Sequence, residues 1–184
     1  MPTTIDDSEI HQIVQRVVQN VMGSLERAPA QSAARKIIAI GADHGGFELK
    51  ETLKSEVSTL GFEVMDVGTV SKEAVDYPDF AHAVAQSVGT GKAWRGIMID
   101  GAGIGSCIVA NKVPGVRAGM AYDISSASNS REHNDTNVLT LGAGLIGVAL
   151  AKQIVKTWLT TEFGGDRHAK RVDKIKAVEK QYLK

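Results

Sequence analysis

The 184-residue sequence is most informative at first for what it lacks. It has a single cysteine, Cys107, so no intrachain disulfide can form, and its five scattered histidines offer no paired zinc-binding spacing. A reducing cytoplasm is the expected setting, with no metal and no cofactor. Net charge is absent too: twenty-one Lys plus Arg balance twenty-one Asp plus Glu. Without a global field, neither nucleic acid nor an anionic membrane is expected as a partner, and any anion site must be local. No apolar run reaches the roughly 18 residues of a membrane span. The N-terminus lacks a basic lead and a contiguous apolar stretch, and it carries Asp6, Asp7 and Glu9. A secretory signal or a mitochondrial import sequence is therefore not expected.

What is present suits a globular core. Hydrophobic residues make up 43% and charged residues 23% of the chain, which excludes a disordered or collagen-like polymer. The length exceeds the about 100–150 residues of a typical domain and falls short of two, so one domain with an appendage is expected.

The appendage is at the front. Ile10, Ile13, Val14, Val17, Val18, Val21, Met22 and Leu25 recur at helical spacing and form one apolar stripe. His11, Gln12, Gln15, Arg16, Gln19 and Asn20 occupy the opposite face. A small-residue stretch, Ala28 to Ala34, follows and reads as a flexible linker. The expected organisation is an amphipathic helix over 1–27, a linker over 28–35 and a domain over 36–184. A lone helix of this length is marginal, so the stripe needs something to dock on.

From Lys36 onward, short Val/Ile-rich runs alternate with helical patterns, as in βαβ units. Strands are expected near Lys36 to Ile40, Glu63 to Val67, Gly96 to Ile99, Arg117 to Ala121 and Asn137 to Leu141. Helices are expected near Phe47 to Leu60, Phe80 to Val88, Ile104 to Lys112, Ile124 to Glu132, Gly147 to Thr160 and His168 to Tyr182. The predicted class is α/β: a Rossmann-like three-layer sandwich with a five-stranded parallel sheet. Ligands of such sheets bind beyond the carboxyl ends of the strands.

Two such ends carry suggestive chemistry. Gly41-Ala42-Asp43-His44-Gly45-Gly46 puts an acid and an imidazole beside glycines that let backbone approach a ligand; a capped turn is the plain alternative. Asp100-Gly101-Ala102-Gly103-Ile104-Gly105-Ser106 opens a helix whose free N–H groups favour an anion. A carboxylate ending a buried strand among apolar walls is a stronger proton acceptor, and a solvated helix cap is its alternative. Ser130 to Asn137 gathers hydrogen-bonding groups before the last strand, as surface loops often do. Arg167 and Arg171 lie four apart on one helix face beside His168, suited to a phosphate or simply a basic helix end. Gly142 to Gly147 matches a dinucleotide fingerprint but follows the last strand, where no later strand can carry the ribose-binding acid. Gly89 to Lys92 lacks the glycine and hydroxyl of a phosphate-binding loop.

Between Lys36 and Lys176 the chain closely resembles the ribose-5-phosphate isomerase B family, which includes the galactose-6-phosphate isomerase subunits. The resemblance rests on Ile40 to Lys50, Val75 to Asp79, Gly101 to Gly105, Ala110 to Lys112, Ser130 to Leu139 and Gly164 to His168. It implies a metal-free aldose–ketose isomerase of phosphosugars, built as a homodimer or a tetramer with active sites at the dimer interface. By position, it implies that Asp43 and His44 touch the sugar or its phosphate, that Tyr77 borders the sugar, that His133 assists ring opening and that Asn134 holds an enediolate. Arg117, Arg167, His168 and Arg171 bind phosphate, and Gly101, Gly103, Gly105 and Ser106 belong to the anion-binding turn. Three positions depart from the family. Asp100 stands where many members have cysteine, Ser106 where another branch has glutamate, and Ala102 replaces the usual hydroxyl. A carboxylate needs no activation near neutral pH, unlike a thiol with a pKa of about 8.5, so Asp100 is expected to replace the base.

The N-terminal segment resembles the encapsulation peptides that carry enzymes into bacterial microcompartments, which implies a shell-protein partner for residues 8–25 and a location in the compartment lumen. A helix packing on its own oligomer is the alternative. Ribose 5-phosphate is the expected substrate; another phosphosugar, or a non-catalytic sugar-phosphate or shell-binding role, are the rivals.

Overall fold

The computed structural model describes residue 8, residues 11–12 and 14–19, and residues 36–183. The chain divides into two compact units, 1–34 and 35–184. In the first, residues 14–19 are helical and Val14, Val17 and Val18 are exposed. The remaining stripe residues, and the linker, lie outside the described residues.

The second unit alternates strands and helices in chain order. Its strands are β1 (Ile37–Ala42), β2 (Glu63–Asp66), β3 (Arg95–Asp100), β4 (Ala118–Met120) and β5 (Val138–Gly142). Its helices are α1 (Phe47–Thr59), α2 (Tyr77–Gly89), α3 (Ile104–Ala110), α4 (Ile124–Glu132), α5 (Val148–Thr160) and α6 (Asp166–Tyr182). All strand pairs are parallel, in the order β2-β1-β3-β5-β4. This is the five-stranded α/β sandwich expected from the sequence.

The side-chain period of two builds a core on each face. Ile38, Ile40, Ile97, Ile99, Leu139 and Leu141 point to one face, where Leu53, Val57, Ile154 and Trp158 of α1 and α5 cover them. Ala39, Met98 and Val138 point to the other, beneath Ala81, Val84, Ala85 and Val88 of α2 and Ala110 of α3. A Cβ on Gly96 would stand 2.6 Å from Val84, so the bare backbone there is what lets α2 lie close to the sheet.

The observed boundaries agree with the expected ones to within two residues, apart from the start of α2. That helix begins at Tyr77 rather than Phe80, because Pro78 sits in its first turn, where a missing N–H loses nothing. At the foot of β3, buried Arg95 donates to the carbonyls of Trp158 and Leu159, 3.0 and 3.1 Å away at the end of α5. Its guanidinium lies 3.9 Å over the Trp94 ring. Burial, helped by Arg131, lowers its pKa to about 10, which leaves it a cation at neutral pH.

The chain leaves β1 toward one sheet edge and leaves β3 toward the other. The crevice between the carboxyl ends of β1 and β3 is thus the topological switch point, where sheets of this kind bind ligands.

Candidate active site

Asp43, His44, Tyr77, Asp100 and the 101–106 turn meet at this crevice. Asp43 is buried at the end of β1, and its Oδ1 accepts from Gly46 N–H at 3.0 Å. Its Oδ2 has no hydrogen-bond partner among the described residues. His44 is exposed, with Nδ1 3.2 Å from both the amide nitrogen and the carbonyl oxygen of Val75. The Tyr77 ring lies directly on Gly105, where an added Cβ would stand 2.6 Å from it. Gly103 caps α3 in the left-handed region at φ 79, and a Cβ there would press on the Leu141 carbonyl at 2.9 Å.

Asp100 is only 4% exposed, but its surroundings are not the apolar walls expected. Oδ1 accepts from Ala102 N–H at 2.9 Å and from Gly103 N–H. Oδ2 accepts from Ser106 N–H at 3.2 Å and from the Ser106 hydroxyl. All four acceptor positions of the carboxylate are thereby occupied. The anion-receiving turn expected for an enediolate receives the chain's own carboxylate instead, because Gly103 turns the backbone so that its N–H groups converge on Asp100. Of the nearby backbone donors, Gly101 N–H has no partner among the described residues.

The second group gathers elsewhere. His133 caps the end of α4, and its Nδ1 is 2.8 Å from the Asn129 amide nitrogen. An amide nitrogen only donates, so Nδ1 accepts and the neutral ring carries its proton on Nε2. The ring stacks on His168, with centroids 4.1 Å apart and planes at 7°. Gly164 N–H donates to the Glu132 carbonyl at 2.9 Å and holds the approach to α6 against this helix end. Arg167 and Arg171, both exposed, make no ion pair among the described residues. Burial pushes the His168 imidazole below its ordinary pKa, and the charges of His133, Arg167 and Arg171 push the same way, opposed by Glu132.

The polar loop before β5 now separates into scaffold and site. Asp135 binds Arg131 at 2.9 Å and Arg117 at 2.8 Å. Thr136 accepts from the Trp158 indole at 2.9 Å, and Asn137 accepts from Arg117 N–H at 2.7 Å. His133 and Asn134 are left facing outward as the candidates for chemistry. Arg117 keeps Nη1 without a partner among the described residues and lines, with Asn134, a cavity of 740 Å³ between β4 and the exposed Ile175, Val178 and Tyr182 of α6. Asn129 and Asp135, neither of them singled out in the sequence, are the residues that orient His133 and brace the loop. Asn129 was legible only as the residue four positions before His133 on a helix.

The two groups lie at opposite ends of the sheet. Asp100 pairs with Gly142 at the carboxyl end of β5, whereas His133 precedes Val138 at its amino end. Five residues of β5, at roughly 3.3 Å each, stand between those levels. No hydrogen bond, ion pair or ring contact joins the two groups among the described residues. No group of three or more His, Cys, Asp or Glu there could hold a metal ion, and no helix there is long and apolar enough to cross a membrane.

A switch-point crevice of acids and glycines, with a histidine and paired arginines at the far end of the same sheet, offers groups for proton transfer and for holding a phosphate. The chain belongs to the ribose/galactose isomerase family, whose model matches residues 38–175. It is 46% identical over 146 residues to ribose-5-phosphate isomerase B of Escherichia coli, covering 79% of this chain and 98% of that one. It is 43% identical over 145 residues to a D-erythrulose-4-phosphate isomerase of Pectobacterium atrosepticum, covering 78% of this chain and 95% of that one. The structure of ribose-5-phosphate isomerase B from Clostridium thermocellum superposes with a TM-score of 0.78 at 50% identity, covering 80% of this chain and 99% of that one.

Proposed function

We propose that the chain interconverts ribose 5-phosphate and ribulose 5-phosphate in sites shared between two copies of itself. The observation that carries this is the separation of the two half-sites, which a second copy resolves by presenting its His133 end to the first copy's crevice. Exposed Ile104 and Ile108 beside the 101–106 turn are apolar surface suited to such a partner. In this arrangement Arg167 and Arg171, with Arg117 beside them, grip the phosphate dianion. His133 presents its Nε2–H as a hydrogen-bond donor to the ring oxygen of the sugar and so assists ring opening. Asp43, His44 and Tyr77 hold the open chain, and Asp100 moves a proton between carbons 1 and 2 through a cis-enediolate. Three of the four donors on Asp100 are fixed backbone N–H groups; only the Ser106 hydroxyl can rotate away and free a lone pair. Gly101 N–H and Asn134 of the second copy are left to receive the enediolate oxygens.

A coupled assay on ribose 5-phosphate, run beside allose, galactose, deoxyribose and erythrulose phosphates, tests the reading, with turnover expected to be highest on the first. The similarity to an erythrulose phosphate isomerase, together with Ala102 in place of a hydroxyl, supports a different phosphosugar as the second reading. Saturated Asp100 supports a third, a sugar-phosphate binder without turnover; binding with no turnover on any of these sugars would establish it.

For the N-terminal segment we propose docking of residues 8–25 on microcompartment shell proteins, which would place the enzyme in the lumen. The exposed Val14, Val17 and Val18 support this. Residues 1–35 fused to a fluorescent protein are expected to form puncta in cells making shells, and diffuse fluorescence would count against it.

A further inference from the structure

Position alone makes His168 a phosphate ligand beside Arg167 and Arg171, yet its own geometry leaves it nothing with which to hold one. The ring is only 7% exposed. Nε2 faces the Arg167 Nε at 3.4 Å. A guanidinium can only donate, so Nε2 accepts and the ring's proton sits on Nδ1. Nδ1 is in turn buried without any hydrogen-bond partner. A buried donor left unsatisfied in a native structure calls for a compensating role. What the ring does present is its flat face, 4.1 Å from His133 and nearly parallel to it.

We propose that His168 is a positioning residue: a stacking platform that keeps the His133 ring in one orientation and one tautomer, with its Nε2–H presented to the substrate. This rests on the isomerase reading for its kinetic consequence, but not for its structural one. The charged groups around the platform are His133, Glu132, Arg167 and Arg171. Burial, with the charges of His133, Arg167 and Arg171, opposes protonation of His168, and Glu132 favours it. A neutral ring under His133 leaves its Nε2–H available as a donor to the sugar's ring oxygen, whereas a cation 4.1 Å away would oppose positive charge gathering on His133. The Asn129 amide grips one edge of His133 and the platform supports its face, so Nε2, 3.8 Å from the exposed Glu132 carboxylate, is the ring nitrogen left to meet a substrate.

The test compares His168→Phe, which keeps a flat neutral ring, with His168→Ala, which removes it, in the full-length protein. His168→Ala is expected to lower kcat on ribose 5-phosphate by about tenfold or more, while His168→Phe stays within about threefold of wild type. Inhibition by inorganic phosphate should stay within about threefold of wild type in both variants. Nitrogen-15 NMR of the imidazoles adds a readout that needs no turnover: His133 is expected as the Nε2–H tautomer in wild type and His168→Phe, and as a tautomer mixture in His168→Ala. Parallel loss of phosphate inhibition in both variants would make His168 a phosphate ligand and overturn the platform. So would an unchanged His133 tautomer in His168→Ala. If the wild type fails to turn over any sugar phosphate while the NMR pattern holds, the isomerase reading fails and the platform stands.

Discussion

Asp100→Asn is expected to reduce kcat on ribose 5-phosphate by roughly 10²–10⁴-fold, the range for removing a general base, while inorganic phosphate still binds. The amide has lost its negative charge, and its nitrogen cannot accept. Whichever way it is turned, two of the four donors that converge on Asp100 lose their acceptor. Each buried donor orphaned in this way costs about 1–3 kcal/mol, so a lower melting temperature accompanies the loss. Asp100→Cys separates chemistry from scaffold. A thiol accepts these hydrogen bonds poorly but ionises near pH 8.5, so turnover is expected to return partly and to rise with pH across about 7–9. Near-normal turnover in Asp100→Asn removes Asp100 from the reaction and transfers the search to Asp43, whose Oδ2 is unpartnered.

The second large effect is a recovery rather than a loss. Asp100→Asn and His133→Ala are each expected to be inactive alone, because every shared site then contains one altered half. After subunit exchange between equal amounts, half of the dimers are mixed. Two-fold symmetry gives each mixed dimer one site with both alterations and one with neither, so activity returns to about a quarter of wild type. The same recovery is expected with Arg167→Ala and Arg171→Ala together as the phosphate-end partner. Demonstrated mixed dimers without activity would mean that the site does not join the two sheet ends, and the shared-site reading would fall.

Both predictions depend on where strands begin and end, and this was largely legible in the sequence. Runs such as Ile97-Met98-Ile99 are apolar at every position, which marks strands buried on both faces. Alternation with helical patterns then leaves a parallel sheet as the natural arrangement. The start of α2 lies ahead of the expected Phe80 because Pro78 fits the first turn of a helix.

The site was legible as a set of residue types rather than as a geometry. Asp43, His44 and Asp100 fall at strand ends by the period of the chain, so their clustering followed from the fold class. Three things did not follow. Asp100 is surrounded by N–H groups because Gly103 adopts a positive φ, a backbone choice that an apolar pattern does not encode. Asp135 joins Arg117 and Arg131 across 18 and 4 residues, so the loop that read equally as a site or as ordinary polar surface is mostly a brace. His168, placed by spacing among phosphate-binding cations, has its nitrogens turned away from any ligand.

The sequence by itself determined the class of fold, the strand and helix order and the residue types at each strand end, because these follow from local periodicity and chain direction. Only the tertiary structure decided which polar groups satisfy one another and which remain free. Hydrogen-bond partners such as Trp158 with Thr136, or Arg95 with the end of α5, are brought together by packing across the sheet rather than by nearness in the chain. The same packing places Asp100 and His133 at opposite ends of β5, the separation on which the proposed shared site rests.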